Sequence, residues 1–176
     1  SSGGTVYGIP QKTPITEDHP TEPICSYGIQ KLSIEKYLRL YQYLYGLDYA
    51  IMRIANPYGE RQRPVAWQGS VIVFLYRALR DEQIEIWGDG SVVRDFLYIT
   101  DVAQAVIKLI DYQGKHKIFN IGSGAGQSLL QVLETIEKAI GRKPDVKFTT
   151  ARPFDVPVNV LDISRAVKEL GWQPQV

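Results

Sequence analysis

Cysteine is almost missing from this sequence: Cys25 stands alone, so no disulfide can form within the chain. A lone cysteine fits a reducing cytoplasm, and Cys25 reads as a small loop residue. Histidine is nearly as scarce. His19 and His116 fall in loop-like stretches away from any Cys, His or Asp at ligand spacing, so no metal site is expected. Long apolar runs are lacking too, because Arg or Asp interrupts the longest ones, which argues against a membrane span. No basic stretch leads into an apolar one, so no secretion signal is visible. Nor is there an excess of charge of one sign. The net charge is +1 with Lys and Arg scattered, which calls for neither nucleic acid nor an anionic membrane as partner. What is present, 44% hydrophobic and 22% charged residues over 176 positions, can bury a globular core of one domain or one and a half.

The order of elements is readable from periodicity and punctuation. Val6-Tyr7-Gly8 reads as the end of a strand, and Pro10, Pro14, Pro20 and Pro23 then enforce a loop. Ser26 is a natural N-cap for a helix that Gly46 stops. Residues 47–54 are rich in strand formers until Asn56-Pro57-Tyr58-Gly59 breaks them. Val71, Phe74, Leu75, Ala78 and Leu79 repeat at helical spacing over 70–80. Ile84–Trp87 alternates as a strand and ends in Gly88-Asp89-Gly90; residues 96–99 are strand-like, and Thr100 caps a helix over 101–112. Ile118–Ile121 is a strand, Ser128 and Gln131 form a capping box for a helix ending at Gly141, Val146–Thr149 is a strand, and 162–170 a last helix. Strands alternating with helices predict an α/β fold.

Tyr27 and Lys31 form Y-x-x-x-K at the start of a helix, a spacing that puts both side chains on one face. A tyrosine acting as a base at neutral pH needs its anion stabilised by roughly three pH units, about 4 kcal/mol, which a neighbouring ammonium and a charged nicotinamide can supply. Chance alone gives roughly 0.6 such pairs in a chain of this composition, so the pair decides nothing by itself. Its setting does. Ser1-Ser2-Gly3-Gly4-Thr5-Val6-Tyr7-Gly8 stands upstream, and Arg53-Ile54-Ala55-Asn56-Pro57-Tyr58-Gly59 downstream. Gly88-Asp89-Gly90-Ser91-Val92-Val93-Arg94-Asp95-Phe96, Thr100-Asp101-Val102-Ala103 and Phe119-Asn120-Ile121-Gly122-Ser123-Gly124 follow in order. In this order and spacing the motifs resemble the extended short-chain dehydrogenase/reductases that act on nucleotide sugars, UDP-glucose 4-epimerases nearest, over essentially the whole chain.

That resemblance implies roles. Tyr27 would take the proton from the sugar 4-hydroxyl while NAD takes the hydrogen from C4, and Lys31 would hold the nicotinamide ribose and stabilise the phenolate. Ala55 would line the nicotinamide pocket, and Asn56 would contact the diphosphate. Arg94 and Arg152 would grip the phosphates, a use suited to guanidinium. Asp155 would accept from the ribose, Glu85-Ile86-Trp87 would pack along the uracil, and Asn159 would bound the sugar pocket. The family places a Ser or Thr three residues before the Val of V-Y-G, but here that position is Gly3, leaving Ser2 or Thr5 to reach the same oxygen. Dehydratases of the family carry an Asp-Glu acid pair where this chain has Gly4 and Thr5, which disfavours dehydration.

The implied architecture is an incomplete Rossmann-type, doubly wound nucleotide domain over 1–62 plus a small α/β substrate domain over 63–176, with 91–112 returning to the first. Gly122-Ser123-Gly124-Ala125-Gly126 resembles a dinucleotide loop, but Gln127 stands where the fingerprint needs glycine. Only about fifty residues follow it, too few for a complete dinucleotide-binding unit, so it reads as a tight turn. The resemblance therefore implies on the order of 110 further residues before Ser1, holding the NAD pyrophosphate. The chain alone is expected neither to retain NAD nor to turn over, and to expose an apolar sheet edge. Tyr37, Tyr41 and Tyr45, spaced by four, are core packing or the contact of a homodimer. The expected substrate is a UDP-hexose. A reductase or dehydratase of the same superfamily, and a non-catalytic binding or dimerisation module, are the alternatives.

Overall fold

The computed structural model describes residues 4–64, 69–153 and 155–176. After a 3₁₀ turn at Gly4–Val6, the elements run α1 (Ser26–Tyr45), β1 (Ile51–Ile54), β2 (Asn56–Tyr58), α2 (Ser70–Leu79), β3 (Ile84–Trp87), β4 (Val93–Arg94), β5 (Phe96–Tyr98) and α3 (Ile99–Ile110). Then come β6 (Ile118–Ile121), β7 (Gln127–Ser128), α4 (Leu129–Ile140), β8 (Val146–Thr149), β9 (Val158–Asn159) and α5 (Ser164–Leu170). Strand β1 pairs in parallel with β6, β2 with β5 and β3 with β8, the pairing that intervening helices impose. The fold is α/β.

Two apolar cores lie under these pairs. Leu97, Val102, Ala105, Phe119, Ile121, Ala166, Leu170 and Trp172 join β5, β6, α3 and α5. Phe74, Ala78, Ile84, Ile86, Val132, Leu133 and Ile136 join α2, β3 and α4. The alternation of β3 follows from this, with Ile84 and Ile86 buried and Glu85 exposed. Asp101, in the first turn of α3, is 2% exposed and accepts from the backbone N–H groups of Gln175 and Val176, while the Trp172 indole donates to its carbonyl.

Several local expectations are corrected. Residues 4–6 form a 3₁₀ turn, not a strand end, because Val6 and Tyr7 pack beside Ile15 and Leu161 rather than pairing with a strand. Cys25, not Ser26, is the N-cap of α1; Gly46 ends that helix in the left-handed conformation. Helix α3 begins at Ile99 after Tyr98, so Thr100 is helical and caps nothing. Asn56-Pro57-Tyr58 does not simply break a strand; it forms one, running parallel to β5. Tyr37, Tyr41 and Tyr45 are exposed, so the stripe on α1 is not core packing.

Candidate active site

Two adjoining cavities lie along the carboxyl ends of β1, β3 and β4. The first, of about 730 Å³, is lined by Gly4 and Thr5 of the 3₁₀ turn, by Cys25 and Tyr27 at the head of α1, by Ile54 at the end of β1 and Ala55 after it, and by Asn159 of β9. The second, of about 280 Å³, lies between α2 and β3 and is lined by Val73, Phe74, Arg77, Glu85, Ile86, Trp87 and Leu129 among others. Asn56, Arg94, Arg152 and Asp155 border both and so stand where the cavities meet.

Local sequence places these groups. Tyr27 occupies the first turn of α1, about half exposed toward the larger cavity. Lys31, one turn on, holds its ammonium 5.3 Å from the centre of the Tyr27 ring. Gly28 lets the helix head approach the 3₁₀ turn, since a Cβ there would stand 2.4 Å from the carbonyl oxygen of Thr5. Gly4 is required by its neighbour in the same way. A Cβ on Gly4 would overlap the Asn159 carboxamide, with 1.7 Å to its nitrogen. An Asp here, as the dehydratases have, needs Asn159 to move.

Where the cavities meet, charge is out of balance. The Arg152 guanidinium makes a two-pronged contact with Asp155 at 2.9 and 2.8 Å, and lies 4.1 Å over the Trp87 ring. Arg94 reaches the same carboxylate at 3.7 Å and donates to the Val156 carbonyl at 2.6 Å. Two guanidiniums thus share one carboxylate, leaving about one unit of positive charge in a half-buried place, an anion site in chemical terms. Burial pushes the Arg94 pKa down and Arg152 adds to that, against the pull of Asp155. The Asn56 amide donates to the Asp95 carbonyl at 3.0 Å, tying the start of β2 to the residue between β4 and β5.

The structure brings Thr5, Tyr27, Ala55, Asn56, Arg94, Arg152 and Asp155 to one cavity wall, and Glu85, Ile86 and Trp87 to the adjoining one. Lys31 lines neither cavity and stands behind Tyr27. Ser2 and Gly3 lie outside the described residues. Sequence reasoning missed Val73, Phe74, Arg77 and Leu129. Of these, Phe74 sits on the apolar stripe of α2, a signal that marks a buried face without saying that it borders a cavity. The glycine-rich stretch after β6 is a tight turn. A Cβ on Gly122 would stand 2.4 Å from Asp95, whose carboxylate accepts from the N–H and hydroxyl of Ser123 at 2.7 Å each and from Leu161 N–H at 3.2 Å. Among the described residues, no group of three or more His, Cys, Asp or Glu is placed to hold a metal ion, and no helix is long and apolar enough to cross a membrane.

Parallel strand pairs, with a tyrosine–lysine helix and an arginine pair beside their carboxyl ends, mark an α/β class whose ligand crevices lie at that end. The chain belongs to the NAD dependent epimerase/dehydratase family, whose model matches residues 1–122. It is 39% identical over its full length to a putative UDP-glucose 4-epimerase of Methanocaldococcus jannaschii, covering 57% of that protein. It is 41% identical over its full length to a dTDP-4-dehydro-6-deoxyglucose reductase of Escherichia coli, covering 55%. The crystal structure of a Thermotoga maritima UDP-glucose 4-epimerase with UDP-glucose superposes on the whole chain with a TM-score of 0.95 at 38% identity, the chain covering 57% of it. The chain thus spans little more than half the length of the relatives it matches.

Proposed function

We propose that this chain carries the base and the nucleotide-sugar half of the site of an NAD-dependent UDP-sugar 4-epimerase. The observation that carries the reading is the set of residues, Asn56, Arg94, Arg152 and Asp155, that borders both cavities. A phenol backed by an ammonium stands at one end, two guanidiniums sharing one carboxylate stand at the junction, and Trp87 stands beyond it. A sugar, a diphosphate and a flat base follow one another in the same order along a UDP-hexose. The residues also suit the nicotinamide end of NAD: Lys31, beside Tyr27, would hold the ribose, and Ala55 of the larger cavity would offer a small apolar wall. When bound, NAD supplies the reversible two-electron oxidation at C4 of the sugar.

The chain's own residues do the rest. Tyr27, as its phenolate, takes the proton from the 4-hydroxyl as C4 becomes a ketone and returns it after the sugar has turned over, while Lys31 stabilises the phenolate that stands before the first transfer and after the second. Thr5 or Ser2 donates to the same oxygen. Arg94, Arg152 and Asn56 hold the diphosphate, so the sugar can rotate without leaving, and Asp155 accepts from the ribose. The uracil packs along Glu85, Ile86 and Trp87. Gly4 beneath Asn159 leaves no room for a second acid unless that amide moves, which favours epimerisation over dehydration.

The test is product analysis by NMR on the polypeptide extended upstream through its NAD-binding part, with UDP-galactose and catalytic NAD, beside its Tyr27→Phe variant. UDP-glucose from the parent and not from the variant supports the reading, and the same yield from both refutes it. The similarity to the reductase supports one second reading, reduction of a 4-keto nucleotide sugar. That reaction would consume reduced nicotinamide in proportion to product, which an epimerase does not. The exposed Ile34, Tyr37, Tyr41 and Tyr45 of α1 support pairing with a second copy in the longer protein, a homodimer that light scattering would register.

A further inference from the structure

Arg53 of β1 is 3% exposed, a place where a cation persists only if its hydrogen bonds and charge are met. Its Nε and Nη2 donate to the two carboxylate oxygens of Glu35 at 3.1 and 2.7 Å. Its Nη1 donates to the Tyr7 hydroxyl at 2.8 Å and to the Glu17 carbonyl at 3.3 Å. The Tyr7 hydroxyl donates onward to Asn120 Oδ1 at 2.7 Å, and the Tyr7 ring lies 4.7 Å from the guanidinium.

Glu35, Arg53 and Tyr7 line neither cavity, so none is assigned a part in the chemistry. Each is one short step along the chain from a group that is. Glu35 lies one turn beyond Lys31 and two beyond Tyr27, on the same stripe of α1. Tyr7 follows Thr5 by two residues, and Arg53 precedes Ala55 by two. Arg53 therefore ties three separate segments of the larger cavity's wall to one point. Gly28 allows the close approach of two of them.

We infer that Arg53, with Glu35 and Tyr7, is a positioning unit that sets the separation between the Tyr27–Lys31 end of α1 and the turn carrying Thr5. The inference rests on the reading of Tyr27 as the base. An apolar pair of the same volume would hold the helix to the sheet as firmly. A two-pronged guanidinium–carboxylate contact fixes angle as well as distance, and a misplacement of about 1 Å at a reacting group costs on the order of a hundredfold in rate.

The test uses Glu35→Gln and Tyr7→Phe, which keep shape and remove one link each, with Tyr27→Phe beside them in the upstream-extended polypeptide. The positioning role predicts that both variants fold, bind NAD one to one and keep KM within about twofold, while kcat falls about tenfold or more. A parent-like kcat in folded variants, or a loss confined to KM, overturns it. If Tyr27→Phe itself turns over normally, the reading of the base fails instead. Amide exchange on the 176-residue chain then decides the inference on geometry. Faster exchange over residues 5–8 and 27–31, with α4 unchanged, upholds the link; unchanged exchange there removes it.

Discussion

Two arginine clusters in this molecule use the same side-chain types to opposite ends. Around Arg53 the charge is matched: Glu35 neutralises it, Tyr7 and the Glu17 carbonyl accept from Nη1, and both ion-pair side chains are about 95% covered. Burial works against that cation, yet hydrogen bonding to Glu35 and Tyr7 outweighs it and raises the Arg53 pKa. Around Asp155 the count fails, with two guanidiniums for one carboxylate and side chains still partly open to solvent. There burial and the second arginine win, and the Arg94 pKa falls. The first arrangement holds segments in place; the second, on a cavity wall, is the one the proposed function uses for the diphosphate.

The sharpest way to break this contrast is to unbalance the first cluster. Glu35→Ala leaves Arg53 buried without its counter-charge and is expected to cost about 3–5 kcal/mol, read as a shift of the urea midpoint. Next in size, Arg152→Ala is expected to weaken UDP binding by about 1.5–3 kcal/mol in calorimetry, while stability stays within about 0.5 kcal/mol. Were Arg152→Ala to destabilise the fold as much as Glu35→Ala, the contrast would be void. A smaller effect falls on the wall between the regions. Gly4→Ala pushes the Asn159 amide aside for about 1–2 kcal/mol of stability, and adding Asn159→Ala should recover most of it in thermal melts.

The smallest effect is one of pH. Burial raises the Asp95 pKa above the ordinary carboxylate range despite its donors from Ser123, Leu161 and Gly124. The folded state therefore holds this proton when the unfolded chain has lost it. Its contribution to stability is present below the unfolded pKa and is lost as pH rises through the folded one, at no more than about 1.4 kcal/mol per pH unit. Glu17, also raised by burial, acts in the same direction. Urea titrations across that range should show the parent losing stability relative to Asp95→Asn as pH rises.

Elements whose signals are local were legible in the sequence. The capping box of Ser128 and Gln131, with Gly141 at the other end, delimits α4 without reference to anything else. Strands β3, β6 and β8 carry enough β-branched and aromatic residues to declare themselves. Strands β4, β7 and β9, of two residues each, exist only because they meet, and no periodicity fits in two residues. The site divides in the same way. Tyr27 and Lys31 share a helix and were visible as a spacing, whereas Arg94, Arg152 and Asp155 took their meaning from family resemblance. The Arg53 network was not visible, because Glu35 and Tyr7 stand 18 and 46 residues from the arginine and look like an ordinary surface acid and a strand aromatic.

Strand β4 lies between β7 and β9, and its pairing sets Arg94 directly opposite Asn159. Arg94 borders both cavities, and Asn159 lines the larger one with Tyr27. Backbone hydrogen bonds run on either side of the pair, from Val93 N–H to the Pro157 carbonyl and from Asp95 N–H to the Asn159 carbonyl. Under the proposed function, a substitution at Asn159 that reshapes the chamber is expected to disturb Arg94 beside it, so sugar selectivity and phosphate binding should drift together.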